Sequence, residues 1–175
     1  MPWPPASASA SAIPSQAPSL SPEAQASKDK ALSTPEPRKL DRMDENSVDG
    51  ANQTAKYIML LYTYTYTTGN TQPWLAISEE GCVFCQKVAD NSKNLHDNGG
   101  WADHWNFEVY TLSYIAPAPG YEYSGVDVEL TNPGTIEYDE FGNGTPTEVQ
   151  EHRTLRLAMR HTDGRWKVRE GEVLK

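Results

Sequence analysis

Positive charge is scarce in this 175-residue chain, where 15 Lys and Arg face 24 Asp and Glu for a formal net charge of -9. Most of the excess falls after residue 50. Such a surface repels phosphate backbones, and the nine Tyr and five Trp do not interleave with a basic stripe, so nucleic acid is not expected as a partner. Long apolar runs are missing too. The longest candidate, Tyr57 to Tyr62, falls far short of the roughly 18 residues a membrane-spanning helix needs. The opening residues, MPWPPASASASAIP, have no basic n-region, apolar stretch or cleavage site and do not read as a signal peptide. Cysteine is reduced to Cys82 and Cys85. A pair so spaced suits a disulfide in an exported protein, a redox element or part of a metal site.

What the chain does have is sharply divided. Eight of its 13 prolines lie within residues 1–38, among Ala and Ser, and branched apolar residues are nearly absent there. Residues 1–45 are therefore expected to be a disordered stalk, because burial in such a segment cannot offset the entropy of ordering it. The remainder, 46–175, is of single-domain size and is expected to fold alone.

Within it, Asp49 reads as a helix cap, and Ala55, Ile58, Met59, Tyr62 and Tyr66 mark one helical face that Gly69 ends. The Tyr-Thr alternation from Tyr62 to Thr67 favours a strand by propensity, but the apolar pattern upstream runs into it, so a helix is predicted. A short second helix is expected over Gln72–Ile77, with Trp74 and Leu75 as buried anchors. A third, capped by Ser78, should run from Glu79 to Asp97. After Gly100 the period becomes two. Trp105, Phe107 and Val109 begin a long strand, Val126, Val128 and Leu130 a second, and Ile136 and Tyr138 follow the Asn132-Pro133-Gly134 turn. Thr154–Arg160 and Trp166–Val168 then form a hairpin about Asp163-Gly164. The expected class is α+β, with three N-terminal helices on a curved antiparallel sheet of about four to five strands.

Tyr66 to Asn70, Pro-Trp-Leu-Ala-Ile-Ser, Gly81 to Cys85 and Asp97 to Gly100 together resemble an uncharacterised actinobacterial lipoprotein family, domain of unknown function 6318, over roughly residues 50–170. The resemblance implies a cone-shaped domain similar to nuclear transport factor, ketosteroid isomerase and polyketide cyclases. It also implies an extracytoplasmic, envelope-associated place, with the membrane reached only through a lipid anchor that this sequence does not include.

Cys82 and Cys85 are read as a structural disulfide, since positions three apart on a helix lie within the ~4.4–6.8 Å Cα separation such a bond tolerates. A metal would need about two further ligands, and only His96 is near in sequence, so no metal and no cofactor are expected. His96, Asp97, Asp103 and His104 straddle a Gly-rich turn and read as solvated polar residues. No nucleophile, base and orienter set is visible, and no paired carboxylates are. Tyr62, Tyr66, Trp74, Trp105 and Phe107 are candidate pocket-lining residues, although aromatic side chains of this kind are commonly core. The expected function is a non-catalytic domain binding a small apolar ligand or an envelope protein. The alternative is an isomerase- or cyclase-like enzyme using the cone pocket, recognisable by a carboxylate deep in the cone beside a Tyr hydroxyl.

Overall fold

A computed structural model describes residues 19–175. Its elements, in chain order, are α1 (Pro22–Leu32), α2 (Val48–Thr68), α3 (Gln72–Ala76), α4 (Val83–Asp97), β1 (Trp101–Ala102), β2 (Glu108–Ile115), β3 (Ser124–Asn132), β4 (Ile136–Tyr138), β5 (Gly144–Pro146), β6 (Gln150–Thr162) and β7 (Arg165–Leu174). The class is α+β. A four-stranded antiparallel sheet has the order β2-β3-β6-β7, and a three-stranded one has the order β1-β4-β5. The β4 strand, expected to extend a simple meander, belongs to this second sheet: the chain leaves β3, builds β4 and β5 against β1, and returns as β6 beside β3. The register shifts at Val109/Thr111, Leu130/Asn132 and Ala158/Met159, where the ladder is interrupted.

The period-two apolar pattern places Val126, Val128, Leu157, Met159 and Val168 on one face, each at most 1 % exposed. They meet Ile58 and Leu61 of α2, both fully buried. The Tyr-Thr run does form helix. Its β-branched residues bond their own backbone, with Thr67 Oγ1 donating to the Thr63 carbonyl at 2.7 Å and Thr68 Oγ1 to that of Tyr64 at 2.8 Å. Gly69, at φ 75°, closes α2 in the left-handed region, where the His96 ring leaves a Cβ no room.

Several expected boundaries move. Ser47, not Asp49, caps α2, its hydroxyl accepting the Gly50 N–H at 3.0 Å. Ser78 caps nothing: the chain there forms a parallel bridge to the edge of β7, and α4 begins only at Val83 with Cys82 as its cap. Leu75 is 41 % exposed rather than an anchor, because the short α3 turns only Trp74 inward. Trp105 and Phe107 precede β2 instead of opening it. Among the described residues there are four helices, since part of the expected stalk is helical.

Of that stalk, residues 1–18 lie outside the described residues, while 19–47 pack on the domain. Pro22 at the first turn and Ser21, whose hydroxyl accepts the Ala24 N–H at 3.1 Å, start α1 despite the low apolar content. The Trp101 indole donates to Ser27 Oγ at 3.1 Å, and Lys28 sits 5.5 Å above the same ring. Farther along, Met43 is 5 % exposed, its carbonyl lies 2.8 Å from the buried Thr54 hydroxyl, and the Glu45 carbonyl accepts the Trp166 indole N–H at 2.7 Å.

Residues 48–175 should therefore be less stable than 19–175. Losing Met43 burial and the two hydrogen bonds is expected to cost about 3–5 kcal/mol. Urea denaturation of the two lengths checks this, and equal midpoints would refute it.

Candidate aromatic site and comparisons with known proteins

Tyr62 and Tyr66 lie four residues apart in the last turns of α2, so their rings share one face and meet at 5.0 Å between centroids. Tyr62 is the hub of a wider cluster. Its ring contacts Trp74 at 6.0 Å, Trp105 at 6.4 Å and Phe107 at 5.3 Å, mostly edge to face, the arrangement favoured by aromatic quadrupoles. All five candidate residues thus join one assembly, but they do not play one part. Trp74 is 1 % exposed and faces the core, where its indole donates to the Cys85 carbonyl at 2.9 Å. Phe107 is half-buried and lines a separate cleft with Met59, Leu60 and Val109.

The other three line an open recess of about 250 Å³ at one end of the large sheet. Its opposite wall comes from the end of β3 (Asn132), β4 (Glu137) and the start of β6 (Gln150), with Thr135, Thr147 and Glu148 between. The indole is held in place because Asn132 Oδ1 accepts both the Trp105 N–H at 3.1 Å and the Gly134 N–H at 2.9 Å. Glu137 and Asn132 carry no periodic signal that would mark them in the sequence. The Asn-Pro-Gly turn marks a bend, not a binding wall.

Burial, then the adjacent Tyr66, then the charge of Glu137 push the Tyr62 hydroxyl well above the usual tyrosine range. Tyr66 is raised as well, chiefly by burial.

The polar residues around the Gly-rich turn are not gathered into one centre. A ring nitrogen of His96 lies 2.7 Å from the Tyr66 carbonyl, and Asp97 pairs with Lys93. Asp103 accepts the Tyr138 hydroxyl at 3.0 Å and lies 3.5 Å from Ser27 Oγ. This carboxylate–tyrosine pair sits beneath α1, beside a cleft that His104 also lines, and not in the aromatic recess. Among the described residues, no three His, Cys, Asp or Glu side chains converge as metal ligands.

Cys82 and Cys85 form a disulfide with Cα atoms 5.2 Å apart. The two do not project from successive helical turns. Instead Cys82 is the cap, and its sulfur accepts the Cys85 N–H at 3.1 Å. Both are nearly fully buried, at 3 % and 1 % exposure.

The model of a family of unknown function, DUF6318, matches residues 23–172. The chain belongs to this family. Its match begins within α1, in keeping with the packing of that helix on the domain. The intermembrane space region of the chloroplast protein ARC6 is similar in structure, with a TM-score of 0.56 at 14 % identity over 74 % of this chain and 98 % of that one. Aln2 from a Streptomyces species aligns with a TM-score of 0.45 at 9 % identity, over 74 % and 92 % of the two chains. A protein of unknown function with a cystatin-like fold from Nostoc punctiforme PCC 73102 gives 0.42 at 8 %, over 73 % and 91 %. No curated protein matches the chain in sequence. At these identities the ARC6 likeness establishes a shared fold and nothing more.

Two outcomes follow from the site. Because the Tyr62 hydroxyl titrates higher folded than unfolded, its contribution is fully present below about pH 10 and is lost as pH rises beyond the unfolded value. Tyr62→Phe should shift the onset of alkaline unfolding to higher pH, read by circular dichroism against pH; an unchanged onset would contradict it. Replacing both cysteines by Ser should lower stability by about 2 kcal/mol, since closing so short a loop restricts the unfolded chain only modestly. Thiol labelling of the native protein should detect no free sulfhydryl, and substantial labelling before reduction would count against the bond.

Proposed function

We propose that this member of the family is a non-catalytic, extracytoplasmic binding domain whose site is the recess of Tyr62, Tyr66 and Trp105, and that its occupant is a small ligand. One observation carries the reading. Three half-buried aromatic residues line an open concavity, fixed by a buried helix on one side and the Trp105–Asn132 hydrogen bond on the other. Rigid aromatic walls with a few placed polar groups are the usual make-up of a small-molecule site.

Size restricts the occupant. At about 250 Å³ the recess falls below the roughly 300–1,000 Å³ typical of drug-sized ligands, so a steroid or polyketide skeleton would not be enclosed. A protein partner, the other expectation, would need a surface of about 800 Å² on each side, and a small concavity favours a compact ligand group over that. The core side of the large sheet is filled by Val126, Val128, Leu157 and Met159, which counts against an isomerase- or cyclase-like interior. The Asp103–Tyr138 pair lines the cleft beneath α1 and lies outside this recess.

The compartment rests on the disulfide, which persists in oxidising surroundings. The lipoprotein-like character of the resemblance supports attachment to an envelope membrane from outside the cytoplasm.

A panel of small fragments, followed by NMR of the indole and tyrosine side chains, tests this. Shifts centred on Trp105, Tyr62 and Tyr66, abolished in Trp105→Ala while the thermal midpoint stays within a few degrees, are expected. Shifts confined to the cleft beneath α1, or no shifts with any fragment, would overturn it.

A further inference from the structure

We propose that the recess is selective for an organic cation, a small substituted ammonium group such as that of choline. The inference rests on the recess being a binding site and adds the chemistry of what enters it. Among the described residues its lining contains two carboxylates, Glu137 and Glu148, and no Lys, Arg or His. Neither carboxylate forms a salt bridge or a side-chain hydrogen bond among the described residues. Some carboxylates elsewhere are engaged, Asp127 with Arg156 at 2.7 Å and Glu79 and Glu122 with Arg160 at 2.8 and 3.0 Å, while others, such as Glu108 and Glu170, stand unpaired among the described residues as these two do. Two unpaired carboxylates thus stand where Tyr62, Tyr66 and Trp105 line one concavity.

Aromatic faces carry negative potential, and a cation held over them within about 6 Å is attracted by each ring, most strongly by Trp. The Tyr rings share this property while neutral, as a phenol is at physiological pH, and burial moves both hydroxyls further from ionising. A substituted ammonium suits these walls better than a bare amine, since its carbon shell contacts the rings while its charge answers Glu137. A bare inorganic cation would leave the aromatic rings unused, and an anion would meet two carboxylates with no basic residue to receive it. Asn132 Oδ1 is already committed to two N–H groups and Thr135 N–H to Thr147 Oγ1 at 2.8 Å, so the free charge of the recess lies on its two carboxylates. Volume agrees with this, because about 250 Å³ accommodates a head group and not a long chain.

The test uses the folded protein with choline and its neutral isostere 3,3-dimethylbutan-1-ol, following the Trp105 indole by NMR. Choline is expected to bind at least about tenfold more tightly than the isostere, and Glu137→Gln to remove most of that preference. Glu148→Gln, at an exposed position, should reduce it less and serves as the second variant if Glu137→Gln unfolds. Equal affinity for choline and the isostere, unaffected by either substitution, would overturn the cation inference while leaving the recess a binding site. Silence of the Trp105, Tyr62 and Tyr66 signals towards both probes and towards the whole fragment panel would remove the site itself. Vesicles of phosphatidylcholine separate the sources of the head group: co-sedimentation lost in Glu137→Gln identifies a lipid, and binding of free choline without co-sedimentation identifies a soluble solute.

Discussion

The enclosure of α2 is the constraint on which the other elements depend. A helix that is polar along one side can rest on a sheet and face water, but α2 buries residues around most of its circumference, from Ala51 and Ala55 through Ile58, Met59 and Leu61 to Thr63, Thr65 and Thr67. Such a helix must be covered on every side. The large sheet covers one side, α3 and α4 another, and α1 with the segment leading to Ser47 a third. Four buried threonines within it are tolerable because a helix offers carbonyls three and four residues back. Thr54, Thr63 and Thr67 use them, whereas the Thr65 hydroxyl finds no partner among the described residues. The Thr65 carbonyl instead accepts the Ser92 hydroxyl at 2.7 Å, which ties α4 to the same turn.

The rigidity of the aromatic recess descends from that enclosure. Tyr62 touches both Trp74, whose indole is bonded to the corner held by the disulfide, and Trp105, whose indole is bonded to the end of β3. One ring therefore links the tightest part of the core to an open surface. Aromatic side chains pre-positioned in this way lose little freedom when a ligand arrives, which is where affinity in small sites is commonly gained or lost.

Much of the fold was legible in the residues because it was written in local periods. The face from Ala55 to Tyr66, the Gly69 stop, the strand alternation at Val126–Leu130 and the Asp163-Gly164 hairpin are each decided by neighbours a few residues away. Their placement needs no knowledge of distant chain. Misplaced features share the opposite property. A Ser at position 78 has the chemistry of a cap, yet Glu79 N–H is taken by the Val168 carbonyl at 2.8 Å, so the helix starts four residues later on a sulfur. The segment 19–47 is poor in apolar residues and reads as unable to fold. It packs because Trp101, Trp166 and Thr54 offer it partners roughly 10 to 120 residues away.

The same division holds for the site. Local sequence was enough to place Tyr62 and Tyr66 on one helical face and to mark Cys82 and Cys85 as close enough to bond, since both depend on spacings of three and four residues. Only the tertiary structure brought Trp105 onto those tyrosines, turned Trp74 inward to the Cys85 carbonyl and set Glu137 across the recess. Glu137 arrives there because β4 pairs with β1 and β5 in the small sheet instead of extending the large one. No period of two or 3.6 in a sequence records which sheet a three-residue strand will join, because that choice is made by the burial of Trp101 against Tyr138 and α1, contacts between parts of the chain far apart in sequence.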